Sequence, residues 1–316
     1  MKRFLGILFL VVIISGCDDG DLFLEDINFD KATVETCANN DIIYKLNEKE
    51  ALLLELPGFI FPSETKTQEV TIGGSNRVVY RFFNGTVKTD NICETIPPAT
   101  PIVVDQWTAA AGGKIVITST PIKTTDATTN STKISGYNHY IVLKNIVFIK
   151  TNNDEQKYPE FIFGDYKTTV TSIPFAFTKT LGQCTTSKQV YNFINSEALT
   201  LNNIEAGLIK NEVTALNTPR TALIGSTTNS LIYKSYTGLL TESYFCNATT
   251  PTTPTLFQEW KAAAGVANTE GIIEVTTTTF GTGFKHTIVL KKVKMVRGSD
   301  DFSLGDNYIY GELITN

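Results

Sequence analysis

Short runs of β-branched and aromatic residues, separated by turn-forming residues, recur along most of the chain. Runs of this length and composition are typical of β-strands. The predicted strands include DIIYKL, ALLLEL, QEVTIG, RVVYRFF, KIVITST, HYIVLKNIVFIK and PEFIFG in the first half, and SLIYKSY, GIIEVTTTT, HTIVLKKVKMV and NYIYGEL in the second. A chain built largely of such runs predicts an all-β fold.

Two segments depart from the strand pattern and predict one short α-helix in each half of the chain. PIVVDQWTAAAGG (residues 101–113) and PTLFQEWKAAAGV (residues 254–266) each begin with Pro, contain three consecutive Ala and place Gly near the end. Proline suits the first helical turn, alanine the interior and glycine the C-terminal cap. Trp107 and Trp260 fall on the apolar face of these helices and are expected to hold them on the sheet. The alternative is an exposed platform on which a sugar stacks.

The second half of the chain repeats the first. Distinctive residues recur 147 or 153 positions later, including four of the five cysteines, the only two tryptophans and the only two histidines. This register indicates a tandem duplication, with repeat 1 at residues 25–170 and repeat 2 at residues 171–316. The matched residues include Cys37 and Cys184, Tyr44 and Tyr191, Cys93 and Cys246, Trp107 and Trp260, and His139 and His286.

One long insertion distinguishes repeat 1. Residues 118–136, TSTPIKTTDATTNSTKISG, are polar and rich in Thr, and they show no periodicity. Such a segment predicts an exposed loop. We expect it at a surface rim, because insertions are tolerated where the core does not constrain the backbone.

The N-terminus has the pattern of a bacterial export signal. Lys2 and Arg3 precede the apolar run FLGILFLVVII, and ISGC follows at residues 14–17. The apolar run is shorter than the roughly 20 residues that a membrane-spanning helix needs. The small residues before Cys17 resemble a bacterial lipoprotein box, which implies removal of residues 1–16 and a covalent lipid on Cys17. An ordinary cleaved secretory signal is the alternative.

Acidic residues follow directly, as DDGD at residues 18–21. They fit a solvated linker. Asp18, Asp19 and Asp21 also resemble the export signal of surface lipoproteins of Bacteroidota. That resemblance implies a lipid-anchored protein on the outer membrane, exposed at the cell surface, with residues 17–24 as its tether.

Four cysteines remain beside Cys17. An even number of cysteines in an exported chain suggests disulfides, and four cysteines allow three connectivities. The duplication selects Cys37 with Cys93 and Cys184 with Cys246, because each pair then closes within one repeat. Structural zinc is the competing interpretation, but the chain has no CxxC motif and two histidines only. The predicted fold is therefore two tandem homologous β-sandwich-like domains, each with one short α-helix and one internal disulfide.

His139 and His286 stand in the same phrase, GYNHYIVLK and GFKHTIVLK. Alternation along a strand puts each histidine on the same face as the Ile and Leu two and four residues later. The expected role is structural: a partly buried ring that hydrogen-bonds a neighbouring loop. The alternative is a pair of active-site residues, but no third group completes a nucleophilic site around either one.

The charge balance and the motifs exclude several function classes. The chain has 27 basic and 32 acidic residues and a formal charge of −5, which argues against a nucleic-acid binder. No catalytic serine, zinc-protease, phosphate-loop or calcium-loop pattern occurs. We predict no catalytic residue, no metal and no cofactor beyond the lipid on Cys17. The candidate binding patch is Phe83 and Tyr236, aromatic residues beside predicted hairpin turns; inter-sheet core is their alternative position.

Three functions fit these features. The first is a non-enzymatic accessory or interaction subunit that docks on an outer-membrane β-barrel or surface complex, since duplicated modules enlarge a surface or add avidity. The second is a tandem β-sandwich lipoprotein that binds glycan beside a nutrient transporter, which the chain resembles in architecture only. The third is an extracellular hydrolase with paired carboxylates.

Overall fold

The computed structural model describes residues 27–316 and consists almost entirely of antiparallel strands. The predicted signal peptide, the predicted lipidation site Cys17 and the acidic residues Asp18, Asp19 and Asp21 lie outside the described residues. Repeat 1 contains nine strands: β1 (Glu35–Thr36), β2 (Ile42–Asn47), β3 (Glu50–Glu55), β4 (Lys66–Thr71), β5 (Arg77–Phe83), β6 (Val103–Ala109), β7 (Lys114–Thr125), β8 (Thr132–Ile149) and β9 (Glu155–Thr169).

Repeat 2 contains the remaining eleven strands. They are β10 (Gly182–Gln183), β11 (Val190–Ile194), β12 (Glu197–Asn202), β13 (Arg220–Leu223), β14 (Ser230–Tyr236), β15 (Leu256–Ala262), β16 (Ile272–Phe280), β17 (Gly283–Lys291), β18 (Lys294–Arg297), β19 (Asp300–Ser303) and β20 (Tyr308–Thr315). The predicted all-β, two-domain fold is confirmed.

Each repeat is a two-layered sandwich. In repeat 2 the layers are separate sheets, one of order β10-β11-β12-β14-β15-β18-β19 and one of order β13-β16-β17-β20. In repeat 1 the strands corresponding to β17 and β18 are fused into β8, and those corresponding to β19 and β20 into β9. These two long strands bend from one layer into the other and join all nine strands into one sheet. Asn145 in repeat 1 and Lys292 in repeat 2 have positive φ at the bend (51° and 49°).

The space between the layers holds the main core of each repeat. In repeat 1 it includes Leu52, Trp107 and Ile141, all of them buried. A second, smaller core lies on the outer face of the larger layer, where a disulfide-linked segment folds back over the sheet. Both faces of the sheet are therefore covered at β2, β3 and β5. For this reason, buried residues occur at consecutive positions in these strands.

The helices predicted at residues 101–113 and 254–266 are wrong. Both segments are strands, β6 and β15, which pair with β5 and β14. Cross-strand hydrogen bonds and the burial of Trp107 and Trp260 between the layers override the local preference of the alanines for helix. The helical elements lie elsewhere: a four-residue α-helix, α1 (Asp90–Cys93), in repeat 1 and a 3-10 turn at Glu242–Tyr244 in repeat 2. Neither Trp is an exposed platform.

The segment predicted as an exposed loop, residues 118–136, is largely exposed but is not a loop. β7 and β8 continue through it as a hairpin with its tip at residues 126–131. The hairpin projects beyond repeat 1 and packs on repeat 2, where Ile134 and Tyr137 are buried in that repeat's core. The contact with repeat 2 is made near the base of this ribbon, and its outer part, residues 123–130, remains exposed and polar.

Candidate functional site

The predicted cysteine pairing is confirmed in both repeats. Cys37 is bonded to Cys93 across 56 residues, and Cys184 to Cys246 across 62 residues. In repeat 1 the bond fastens the chain that follows β5 onto the outer face of the larger layer, and α1 ends at Cys93 itself. The disulfides therefore hold the small outer cores closed.

The candidate patch of Phe83 and Tyr236 is not on the surface. The two side chains are 2% and 8% exposed. Both project from the outer face of the sheet, and the disulfide-linked segment covers that face, with Cys37 beside Phe83 and Cys184 beside Tyr236. They belong to the small outer cores and cannot form a binding patch.

The histidines are more deeply buried than expected and bond to strands and not to loops. His139 is fully buried, with Nδ1 2.7 Å from Ser119 Oγ on β7 and Nε2 2.8 Å from Thr168 Oγ1 on β9. His286 repeats this arrangement with Thr277 and Thr315, at 2.8 and 2.9 Å. Burial lowers the pKa of His139 to about 4, so the neutral ring links two neighbouring strands.

Each repeat also contains a buried tryptophan whose indole N–H is hydrogen-bonded and whose ring contacts a cationic side chain. In repeat 1 the indole Nε1 of Trp107 donates to Asp105 at 2.7 Å, and the ammonium of Lys150 lies 4.3 Å from the ring centroid. Burial alone would raise the pKa of Asp105. Hydrogen bonds from Thr151, Trp107 and the backbone of Gln106 outweigh burial, and the pKa lies below its ordinary value.

Repeat 2 keeps the geometry of this cluster and changes its chemistry. Arg297 lies 4.8 Å from the ring centroid of Trp260, and Gln258 takes the place of the aspartate. With its side-chain oxygen turned toward them, Gln258 accepts from Trp260 Nε1 at 3.1 Å and from Arg297. Arg297 also reaches across to repeat 1 and donates to the backbone oxygen of Ser63 at 2.7 Å. The repeat 2 cluster is thus part of the contact between the repeats.

A buried carboxylate, Asp300, joins the two repeats. It is inaccessible to solvent and accepts from the Tyr137 hydroxyl at 2.8 Å and from the backbone of Thr65 at 3.0 Å. The Thr65 hydroxyl and Arg297, at 3.4 Å, complete its partners. Burial, followed by the proximity of Asp300, raises the pKa of Tyr137, so the phenol remains a donor. The position equivalent to Asp300 in repeat 1 is the exposed Asn153, so repeat 1 has no equivalent of this hydrogen-bonded cluster.

The projecting hairpin adds a second set of contacts. Lys123 pairs with Asp301, and Asn130 donates to Asp306 at 2.6 Å. The hairpin tip approaches Gly305 so closely that a Cβ there would lie 2.4 Å from the backbone oxygen of Thr129. The two repeats are therefore fastened by backbone, side-chain and charged contacts.

A cleft of about 330 Å³ lies beside Tyr137 and Arg297, the hydrogen-bond partners of Asp300. Its floor is aromatic: Trp260, Phe302 and Tyr137 are nearly buried, and the Trp260 and Phe302 rings meet at 4.9 Å in an edge arrangement. Phe257 stands at the mouth with 76% of its surface exposed. The remaining lining residues come from both repeats and the segment between them: Ser63, Lys133, Ile134, Val170, Thr171, Ser172, Ile173, Phe175, Gln258 and Arg297.

The cleft is suited to binding. A concave, mostly apolar pocket with a few polar groups at a domain boundary is the usual form of a ligand site. Among the described residues, none that lines the cleft is Asp or Glu, so the carboxylate pair of the hydrolase hypothesis is not found there. In residues 27–316 no group of His, Cys, Asp and Glu is arranged to hold a metal, and no helix there is long and apolar enough to cross a membrane.

Sequence reasoning missed the residues that build this site. Phe257, Gln258 and Trp260 were placed on a helix, and Asp300 was given no role. The available signal was a difference between the repeats. At two equivalent positions, repeat 2 has Arg297 and Asp300 where repeat 1 has Lys150 and Asn153. A site between two repeats uses residues that the repeats do not share, so differences between equivalent positions could have indicated it.

Comparison of the chain with protein-family profiles, with curated proteins and with solved structures finds no match. The chemistry of the cleft residues therefore carries the inference about what the cleft binds.

Proposed function

We propose that the chain is a non-enzymatic lipoprotein of the cell surface, anchored in the outer membrane through Cys17, that acts as an accessory subunit of an outer-membrane protein or complex. Its partner docks at the cleft between the repeats. The observation that carries the proposal is Phe257, a large aromatic side chain that is 76% exposed at the mouth of an aromatic-floored pocket. Aromatic anchors beside well-packed pockets dominate the energetics of protein interfaces.

The size of the cleft suits an anchor from a partner protein. Its volume of about 330 Å³ is near the lower end of the roughly 300–1,000 Å³ typical of ligand pockets. It therefore fits one bulky apolar side chain with a polar group facing Gln258 or Lys133. Such a side chain would bury Phe257 as well.

The rigidity of the cleft also supports a binding role. Arg297 and Asp300 are bonded to each other and to repeat 1, so they hold the walls in place. Preorganised walls reduce the conformational freedom that is lost on association. Hydrogen bonds to Tyr137, Thr65 and Arg297 occupy the Asp300 carboxylate, which favours a positioning role over acid-base chemistry.

The test is purification of the full-length, C-terminally tagged lipoprotein from mildly solubilised outer membranes, with quantitative mass spectrometry of what accompanies it. We expect one outer-membrane protein in a fixed ratio to the lipoprotein. Recovery of the lipoprotein alone, from membranes in which other known complexes stay intact, would count against the accessory role.

Glycan binding is the second candidate, and the exposed Phe257 ring next to Gln258 favours it. An aromatic face beside an amide is a common arrangement for holding a sugar. Affinity electrophoresis in gels that contain polysaccharide distinguishes the candidates. A retardation that Phe257→Ala abolishes would favour glycan, and unchanged mobility across a panel of polysaccharides would dismiss it.

A further inference from the structure

A second concavity, in repeat 1 alone, has a buried lysine in its wall. This groove of about 620 Å³ lies between the chain before β2 and the edge of β9. Lys45 is 5% exposed and faces into it. Its lining residues are Asp30, Ala32, Thr33, Val34, Glu35, Thr36, Lys45, Tyr140, Ile162, Gly164, Asp165, Tyr166 and Lys167.

The Lys45 side chain is largely buried, and its ammonium reaches the groove without a bonded acceptor among the described residues. Within residues 27–316 it makes no hydrogen bond or ion pair, and only the more distant charge of Asp30 favours it. Burial lowers the pKa of Lys45, against the smaller effect of Asp30. A charged group that is largely withdrawn from water and has no acceptor is costly, so it marks a place where an acceptor can bind.

Repeat 2 fills the equivalent groove with its own chain. The segment before β10 lies parallel to β20, with Thr180 bridged to Glu312. Glu312 donates its backbone N–H to Lys179 at 2.6 Å and accepts from the backbone of Leu181 at 3.0 Å. Asn192, which stands where repeat 1 has Lys45, donates to the backbone oxygen of Thr178 at 2.6 Å. The slot is thus a place for one extended strand.

Repeat 1 leaves the same slot open. Asp165 stands where repeat 2 has Glu312, but within the described chain its backbone makes neither of the two corresponding bonds to residues 32 and 34. A Cβ on Gly311 would lie 2.6 Å from the backbone oxygen of Lys179. A Cβ on Gly164 would meet only the side chains of Val34, at 3.1 Å, and Lys45, at 3.6 Å. The backbone of the covering segment is therefore farther from the strand edge in repeat 1.

We propose that the repeat 1 groove binds an extended peptide segment of a partner protein, which adds to the edge of β9 at Asp165. The peptide backbone pairs with the free N–H and C=O of Asp165, as residues 179–181 do with Glu312 in repeat 2. A backbone carbonyl of the peptide accepts from Lys45, as Thr178 does from Asn192. Addition of a strand to a free sheet edge is a recurrent mode of peptide recognition.

This surface is distinct from the cleft, and the proposal goes beyond the proposed function. The groove is formed within repeat 1 by residues 30–36 and 162–167, while the cleft needs both repeats. Loss of peptide binding at the groove would leave the cleft proposal standing, and loss of a cleft partner would leave the groove proposal standing.

Hydrogen exchange of the free, full-length protein in detergent provides the first half of the test. The amide of Asp165 should exchange at least about tenfold faster than the amide of Glu312, because only the latter is bonded to a neighbouring segment. Equal protection of the two amides would show that the chain of repeat 1 already occupies its own slot, and would overturn the proposal.

The second half uses a synthetic peptide with the sequence FAFTKTLGQ (residues 175–183), the segment that fills the slot in repeat 2. We expect it to protect the Asp165 amide at concentrations up to about 1 mM, and a scrambled peptide to leave it unprotected. Lys45→Met should weaken the protection at least about tenfold, the effect of losing a charge-assisted hydrogen bond. Lys157→Met, an exposed change on β9 itself, should not weaken it. Absence of protection by the peptide, or equal effects of the two substitutions, would overturn the proposal.

Discussion

Replacement of Asp300 by alanine should loosen the two repeats from each other. Asp300 is buried and accepts hydrogen bonds from Tyr137, from the backbone and hydroxyl of Thr65 and from Arg297. Alanine leaves the buried Tyr137 hydroxyl without a partner, at about 1–3 kcal/mol, and the partly buried Thr65 donors at less each. Arg297 keeps its bond to repeat 1 through Ser63 and loses less.

Together these losses should lower the free energy of unfolding of Asp300→Ala by about 3–5 kcal/mol. This is the range measured when one partner of a buried charged network is removed. Chemical denaturation followed by tryptophan fluorescence measures it, since each repeat contains one Trp. We also expect the wild-type transition to separate into two, because the repeats then unfold independently. The matched control is Asp301→Ala, which removes a partly exposed ion pair with Lys123 and should cost at most about 1 kcal/mol.

A double-mutant cycle isolates the contact between the repeats. Tyr137→Phe alone should cost about 1 kcal/mol, and should cost almost nothing in the Asp300→Ala background, because its acceptor is already gone. A cost of Asp300→Ala no larger than that of Asp301→Ala, or simple addition of the Tyr137 and Asp300 effects, would show that Asp300 does not join the repeats.

Three further predictions concern stability. The pKa of His139 is about 4 in the folded protein and about 6.5 in the unfolded chain, so the unfolded chain binds more protons between these values. The free energy of unfolding should therefore fall by about 3 kcal/mol as the pH is lowered from 6.5 to 4. Denaturation at a series of pH values measures this, and a flat profile would contradict it. Replacing Cys37 and Cys93 together by alanine should lower the free energy of unfolding by roughly 4 kcal/mol, and reduction of the wild type should have a comparable effect. Gly305→Ala should destabilise by about 1–3 kcal/mol, since its φ is +92° and the hairpin tip leaves no space for a Cβ. Gly298→Ala, with φ +57° and open space, is the control and should cost less.

The sequence specified the strands and the disulfides because both are encoded locally or by the repeat. Alternation of His139, Ile141 and Leu143 predicted a shared inner face, and all three are fully buried. The duplication alone selected Cys37 with Cys93 from three possible connectivities, and the structure confirms that choice. Neither inference required knowledge of how distant segments pack.

The errors arose where tertiary contacts decide the outcome. Alanines favour helix in isolation, but residues 103–109 gain more from pairing with β5 and burying Trp107 than from local hydrogen bonds. Phe83 projects from the outer face as alternation predicts, yet the disulfide-linked segment covers it. The docking of the hairpin at residues 118–136 depends on a surface of the other repeat, which no local pattern reveals.

The central claim is that a partner binds at the cleft between the repeats. It is tested most directly by comparing two substitutions at equivalent positions, Phe257→Glu and Val104→Glu, in the full-length tagged protein purified from mildly solubilised outer membranes. Both side chains are exposed, at 76% and 53%, but only Phe257 lines the cleft. Quantitative mass spectrometry of the purified complexes should show the partner reduced at least about tenfold with Phe257→Glu, as expected for loss of an interface anchor, and unchanged with Val104→Glu. Full recovery of the partner with Phe257→Glu would contradict the account.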